Sequence, residues 1–327
     1  MNLILEIVHA NLLSPLILFF MIGIIATLVN SDLKVPEAFY TGYTMIILFT
    51  IGINGGIKLK HASLEDMFVA ILAALFLSFF MLIIAYLLIN KVFKFDRTNS
   101  LALAGHYGSV SAVTFVAGLS FLDKMEVQYE DYMPALLVIM EGPAIITAII
   151  LYKIYAQKEN GSSKSGLADV IKEAFFGKSI FLLIGGVLIG LIANEDGLLM
   201  IKPLFGDLFY GILSIFLLHM GMVASQRLRQ LKGARWYSFG FTFILPIIGG
   251  VCGIIVGDFI GLSLGGTFIL GVLTASSSYI AAPAAIEHSI PEANSGVYIG
   301  SSLGLTLPFN LIFGIPFYFW FARLMVG

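Results

Sequence analysis

Two runs of small, mostly polar residues interrupt otherwise apolar stretches, one in each half of the chain. The first reads Gly105-His106-Tyr107-Gly108-Ser109-Val110-Ser111-Ala112-Val113-Thr114, the second Thr274-Ala275-Ser276-Ser277-Ser278-Tyr279-Ile280-Ala281-Ala282-Pro283. Glycine and serine runs unwind a helix inside a bilayer. The N–H and C=O groups released there are tolerated only where protein covers them or a wet cavity meets them. Each half-helix N-terminus then carries about +0.5 charge and free N–H donors, which suits a small anion. Released carbonyls and half-helix C-termini suit Na⁺. The hydroxyls of Ser109, Ser111, Ser276, Ser277 and Ser278 can serve either ion. The competing account is a seam of small residues between packed helices; two interruptions at matching places favour the ion site.

Glu141 is the next residue able to do chemistry. It falls near the middle of a long apolar run, where an ionisable side chain is expensive and marks function by default. It reads as a carboxylate contributing to cation binding, or as a hydrogen-bonded structural glutamate. His106 borders the first interruption, where it can titrate or simply donate a packing hydrogen bond. His219 reads as structural; Asn54 and Asn310 are polar, and helix-to-helix hydrogen bonds explain them as well as a role in a site does. Pro143 and Pro308 are expected to kink the spans that cross the interrupted helices.

Composition sets the class. Of 327 residues, 59% are hydrophobic and 12% charged, and the mean hydropathy is +0.97. Soluble domains carry about 25% charged residues, so this is a polytopic membrane protein. A net charge of −2 argues against nucleic acid as a partner, and the single cysteine, Cys252, excludes an internal disulfide framework. The N-terminus shows no basic segment before its first apolar run and reads as retained.

A helix crossing the hydrocarbon needs about 20 apolar residues. Ten spans follow: Leu12–Val29, Phe39–Gly56, Met67–Asn90, Leu101–Phe121, Met133–Tyr155, Ser179–Ala193, Phe205–Ala224, Tyr237–Val256, Thr267–Ile286 and Val297–Phe321. Thirteen of the 18 Lys and Arg gather on one side: Lys34, the Lys91–Arg97 group, five lysines from Lys153 to Lys178, and four residues from Arg227 to Arg235. That side is cytoplasmic, so both termini face outside. The acidic residues Asp123, Glu126, Glu130 and Asp131 then form a solvated outer loop. Residues 157–177, with Gly161-Ser162-Ser163, read as a flexible cytoplasmic linker between a five-helix repeat over 1–156 and a second over 178–327.

The two halves resemble each other at an offset of about 165 residues. Ser14-Pro15-Leu16-Ile17 falls opposite Lys178-Ser179-Ile180-Phe181, Glu141-Gly142-Pro143 opposite Thr306-Leu307-Pro308, and the two interruptions opposite each other. Five spans is an odd number, so the second half starts from the opposite side. The fold expected is all-α, an inverted repeat of the kind found in secondary transporters.

The run from Gly105 to Phe115, Met140-Glu141-Gly142-Pro143-Ala144, and the run from Thr274 to Pro283 resemble the sodium-dependent bicarbonate transporter family. The resemblance spans the chain. It implies a gate domain from spans 1, 2, 6 and 7, a core domain from spans 3–5 and 8–10, elevator motion of the core, and a homotrimer. It further implies an anion site lined by Gly108, Ser109, Val110, Ser111, Ser276, Ser277 and Ser278. The Na⁺ site would draw on Glu141, His106, Thr274 and Ala275. Relatives are inhibited by a small PII-like cytoplasmic regulator, but the short inter-half loop here has no evident docking motif for one.

The function expected is Na⁺-coupled import of bicarbonate across the cytoplasmic (inner) membrane, with no cofactor beyond the coupling ion. Carriage of another small anion, or a membrane sensor that transports nothing, are the alternatives. An enzyme is disfavoured, since no zinc-protease motif or intramembrane aspartate pair occurs, and no Gly-rich, Lys-containing phosphate loop points to ATP.

Overall fold

The computed structural model describes residues 11–60, 64–160, 178–230 and 239–327. Every regular element among them is helical. In chain order these are α1 (Pro15–Leu28), α2 (Glu37–Leu59), α3 (Leu64–Leu87), α4 (Arg97–Gly108), α5 (Ala112–Lys124), α6 (Met133–Glu141), α7 (Pro143–Asn160), α8 (Lys178–Ile192), α9 (Glu195–Lys202), α10 (Phe209–Gln230), α11 (Phe241–Phe259), α12 (Leu264–Ala275), α13 (Ala281–Ser289), α14 (Ser295–Ile299), α15 (Leu307–Phe309) and α16 (Ile315–Val326). Seven helical stretches are long and apolar enough to cross a membrane, and Pro15–Leu28, Ile180–Ile192 and Leu264–Ala275 are shorter apolar helices. The protein is a multi-pass membrane protein.

Residues 161–177, which hold most of the expected linker, lie outside the described residues, as do 1–10 and the end of the Arg227–Arg235 loop. The linker's first residues, 157–160, belong to α7.

Polar caps start several helices where the chain leaves the apolar region. Asp96 accepts from the N–H of Asn99 at 2.9 Å, Ser263 from Gly266 at 3.1 Å and Asn294 from Val297 at 3.3 Å. Each satisfies one of the orphan donors of a helix start. Pro308 has no N–H to give. Instead of one sharp kink, the segment widens into π-helical turns on both sides of α15, over Gly300–Thr306 and Asn310–Gly314. Pro143, by contrast, follows a break at Gly142 that divides α6 from α7.

Two helix pairs cross halves of the sequence. α1 packs along α10 and α2 along α8. Both seams are built from glycines that let backbones touch. A Cβ on Gly52 would stand 2.5 Å from the Leu183 carbonyl oxygen and 2.8 Å from the Gly186 Cα. A Cβ on Gly186 would stand 2.9 Å from the Gly52 Cα, and one on Gly56 would strike the Val187 carbonyl. Gly52-x-x-x-Gly56 thus faces Gly186-x-x-x-Gly190, the small-residue spacing that brings membrane helices close. Gly23 and Gly221 do the same reciprocally between α1 and α10.

Among the remaining helices, α3 packs on α4, α4 on α7, and α11 on α12. Two apolar clusters fill the molecule. Tyr107 and Ala282 belong to one, Val110, Ala275 and Tyr279 to the other. The chain therefore passes from one cluster to the other at each interruption, and a thin polar layer separates them.

The seam makes a stability prediction with opposite signs. Gly52→Ala gains up to about 1 kcal/mol of helix propensity but overpacks two backbones, an effect of about 1–3 kcal/mol. It is expected to lower the thermal midpoint in detergent. Gly42→Ala on the same helix meets nothing within 4 Å and is expected to raise or preserve it. Equal shifts for the two variants would show that the seam is not close-packed.

Candidate functional site

Each interruption separates two helices. α4 ends at Gly108, Ser109 is extended (φ −98°, ψ 176°), and so is Ser111 (φ −120°, ψ 116°), before α5 starts at Ala112. α12 ends at Ala275, Ser276 is extended (φ −81°, ψ 173°), and α13 starts at Ala281. The new helix starts are capped from within the breaks. Ser111 Oγ accepts from the Thr114 N–H at 3.1 Å, and Ser278 Oγ from the Ala282 N–H at 3.1 Å.

The breaks meet. The Ser111 N–H donates to Ser276 Oγ at 2.9 Å, and the Ser278 N–H donates to the His106 carbonyl at 3.0 Å. Ser111 Oγ donates to Tyr279 OH at 3.0 Å. Both breaks are also tied to the helices that cross them. Ser109 Oγ donates to the Glu141 carbonyl at 2.7 Å, and Asn310 Nδ2 to the Ala275 carbonyl at 2.9 Å, with Tyr318 OH holding Asn310 Oδ1 at 2.9 Å. Thr306 Oγ1 gives its proton to the Thr242 carbonyl, so Tyr107 OH must be the donor in its 2.7 Å bond to Thr306.

A cavity of about 10 Å³ sits at the crossing, room for about one water-sized occupant. Val110, Ser111, Ala112, Glu141, Ser278, Tyr279 and Ile280 line it, with Leu48 of α2 on the far wall. Glu141 is 5% exposed, and its Oε2 has no hydrogen-bond partner; neither has Ser277 Oγ, which is also buried. Buried polar atoms in that state cost about 1–3 kcal/mol, more when charged, and therefore call for a partner. The starts of α5 and α13 direct their first-turn amides toward the same crossing, as helix N-termini must. The arrangement offers a carboxylate oxygen and hydroxyls to a cation, and amide donors with partial positive charge to an anion.

The expected residues distribute unevenly around this point. Val110, Ser111, Ser278 and Glu141 line the cavity. Ser109 and Ser276 hold the crossing together instead. Gly108 packs outward: a Cβ there would stand 2.6 Å from Ala144 Cβ and 2.9 Å from Leu82 Cβ, and its carbonyl accepts from Ser78 Oγ at 2.6 Å. Thr274 turns its hydroxyl to Leu270 in its own helix at 2.8 Å, and Ala275 contributes its carbonyl to Asn310. His106 lends the crossing its carbonyl rather than its ring. The ring is bonded through Nδ1 to the Ala102 carbonyl at 2.8 Å and lies 4.8 Å from the Tyr298 ring. His219 lies elsewhere, 5.0 Å from the ring of Tyr40.

Leu48, Tyr279 and Ile280 enter the site without having been singled out in the sequence. Tyr279 was visible as the one aromatic within the second run; Leu48 carries no sequence signal, because an apolar residue in an apolar span looks like any other.

A search of curated proteins finds no match to the chain. The family model of the Na⁺-dependent bicarbonate transporter superfamily matches residues 15–323, both breaks and the Glu141 junction included. The chain belongs to the Na⁺-dependent bicarbonate transporter superfamily.

Proposed function

We propose that the protein is a symporter that imports bicarbonate with Na⁺ across the cytoplasmic membrane, both ions binding where the two broken helices cross. The observation that carries this reading is the reciprocal bonding of the breaks beside a buried carboxylate oxygen without a partner. Na⁺ binds at Glu141 with hydroxyl or carbonyl oxygens of the crossing. Bicarbonate faces the first-turn amides of α5 and α13, with Ser277 Oγ as an added donor. One Na⁺, one ionised Glu141 and one bicarbonate leave a single negative charge. Two helix N-termini of about +0.5 each offset it, and a near-neutral load is what a low-dielectric interior tolerates.

The seven long and three shorter apolar helices make ten spans among the described residues, and an inverted repeat would account for their pairing. α1 on α10 and α2 on α8 are the same contact exchanged between halves, as are α3 on α4 and α11 on α12. In this reading α1, α2, α8 and α10 form the gate and the rest the core, which slides as an elevator between outward- and inward-facing states. The basic side faces the cytoplasm, both termini face outside, and the assembly is a homotrimer. An elevator suits the wall that α2 presents, since Leu48 can slip past the cavity without breaking a hydrogen bond. The scheme assigns no residue to catalysis and requires no PII-like regulator.

Labelled bicarbonate uptake into proteoliposomes, with and without an inward Na⁺ gradient, tests the proposal. Saturable uptake that requires the gradient is expected, and Glu141→Gln is expected to abolish its Na⁺ dependence. Gradient-independent uptake by the wild type, or unchanged Na⁺ dependence in the variant, would refute the assignment.

The two neighbouring serines separate structure from binding. Ser276→Ala removes the acceptor of a buried N–H and is expected to destabilise the protein by about 1–3 kcal/mol, read as a lower melting midpoint. Ser277→Ala removes a hydroxyl with no protein partner, so the midpoint should hold while KM for bicarbonate rises. A melting loss in Ser277→Ala with unchanged KM would reverse the two roles.

A further inference from the structure

A second and larger cavity, about 300 Å³, opens between α2, α5 and the start of α10. Two helical stripes lead from it to the crossing. On α2, Ile51, Asn54 and Lys58 line the large cavity, and Leu48 lines the small one beside Glu141. On α5, Phe115, Leu119 and Asp123 line the large cavity, and Ala112 the small one. Each series recurs every three to four residues, so each is a single face of its helix. Both stripes end in a charged residue, and the two charges are opposite.

Lys58 is the one cation and Asp123 the one carboxylate lining this cavity among the described residues. Lys58 Nζ lies 3.5 Å from Asp131 Oδ1 and 4.1 Å from the centre of the Tyr129 ring. The side chains of that ion pair are 35% and 51% exposed, and a pair so exposed is weakly held and readily exchanged. Asp123 Oδ2 accepts from Tyr210 OH at 2.6 Å, which leaves its other oxygen for a further partner.

We infer that this cavity is the outer entrance for both transported ions, with Lys58 receiving bicarbonate and Asp123 receiving Na⁺; the inference rests on the symport reading and its orientation. A mouth of one sign would concentrate one co-substrate and repel the other. One charge of each sign admits both, and an ammonium on a flexible stem can hand an anion inward with its three donors. Asn54, midway along the α2 stripe, presents both a donor and an acceptor. Ile51 and Phe115 form the apolar seal between the entrance and the crossing, which must part when the ions pass.

The test uses the full chain in proteoliposomes at low ionic strength. Lys58→Met is expected to raise KM for bicarbonate about tenfold, the low end of electrostatic steering, with KM for Na⁺ and the maximal rate preserved. Added salt should shrink the effect, and Lys58→Arg should restore the wild-type value. Asp123→Asn, which can still accept from Tyr210, should raise KM for Na⁺ alone. If both constants move together in either variant, or only the maximal rate falls, the residues hold gate to core and the inference fails. A second readout needs no transport. In a Cys252→Ala background, Asn54→Cys should react with impermeant anionic and cationic methanethiosulfonates added outside. Adding Lys58→Met should slow the anionic reagent about tenfold relative to the cationic one. An unreactive thiol, or an unchanged ratio, overturns the entrance. Absent uptake by the wild type, with the thiol result as expected, would instead strike the symport reading.

Discussion

Breaking a helix within an apolar interior releases backbone donors and acceptors that must find partners, and here two breaks satisfy one another. Ser111 gives its N–H to Ser276, and Ser278 gives its N–H to the carbonyl of His106. Neither bond can form unless both interruptions lie at the same depth. A shift of either half-helix by one residue, about 1.5 Å along the axis, would misalign both. The register of α4 and α5 is thereby coupled to that of α12 and α13. Ser109 to Glu141 and Asn310 to Ala275 extend the coupling to the helices that cross them. The polar layer between the two apolar clusters is thus a single bonded unit, and the cavity with Glu141 is part of it.

The helices surrounding that unit are held by a different physics. α1 with α10, and α2 with α8, rest backbone on backbone through facing glycines. Dispersion and close packing carry these seams, and they present mostly apolar faces outward. Where α2 reaches the crossing it offers Leu48, which makes no directional bond. A bonded polar layer beside a slippery wall is what the proposed elevator would require. Asn11, just ahead of α1, donates to the Leu311 carbonyl at 2.6 Å; at the far ends of α2 and α5, Lys58 meets Asp131 and Tyr210 meets Asp123. These last two contacts are solvent-reachable and can exchange partners with water or ions.

Much of this was legible in the sequence because broken membrane helices have a composition signature. Serine and glycine in an apolar run announce released backbone, and the runs Gly105–Thr114 and Thr274–Pro283 enclose the helix ends at Gly108, Ala112, Ala275 and Ala281. Glu141 was legible for the same reason, as the acidic residue where none is affordable. What spacing does not reveal is the direction each side chain takes. Gly108 reads as a binding-site residue, yet it is small because Ser78, Leu82 and Ala144 crowd it. His106 sits in the motif but turns its ring to Tyr298. Asn310 reads as one more helix-to-helix donor, and only the fold shows that its carbonyl partner lies at a helix break. Pro308 signals a kink in sequence, whereas the surrounding segment absorbs it as π-helical turns.

In the proposed symport, coupling between the two ions would follow from the electrostatics of that layer. With Glu141 ionised and no cation beside it, an entering bicarbonate would meet a like charge in a medium that screens poorly. Na⁺ at Glu141 removes the repulsion and leaves the half-helix N-termini free to act on the anion. Each ion then raises the affinity of the other by the same factor, as linkage demands. In that scheme one carboxylate acts on both ions, and no mechanical relay between separate sites is needed. A half-loaded site would leave an unpaired charge beneath the apolar wall of Leu48, a penalty that would itself disfavour sliding.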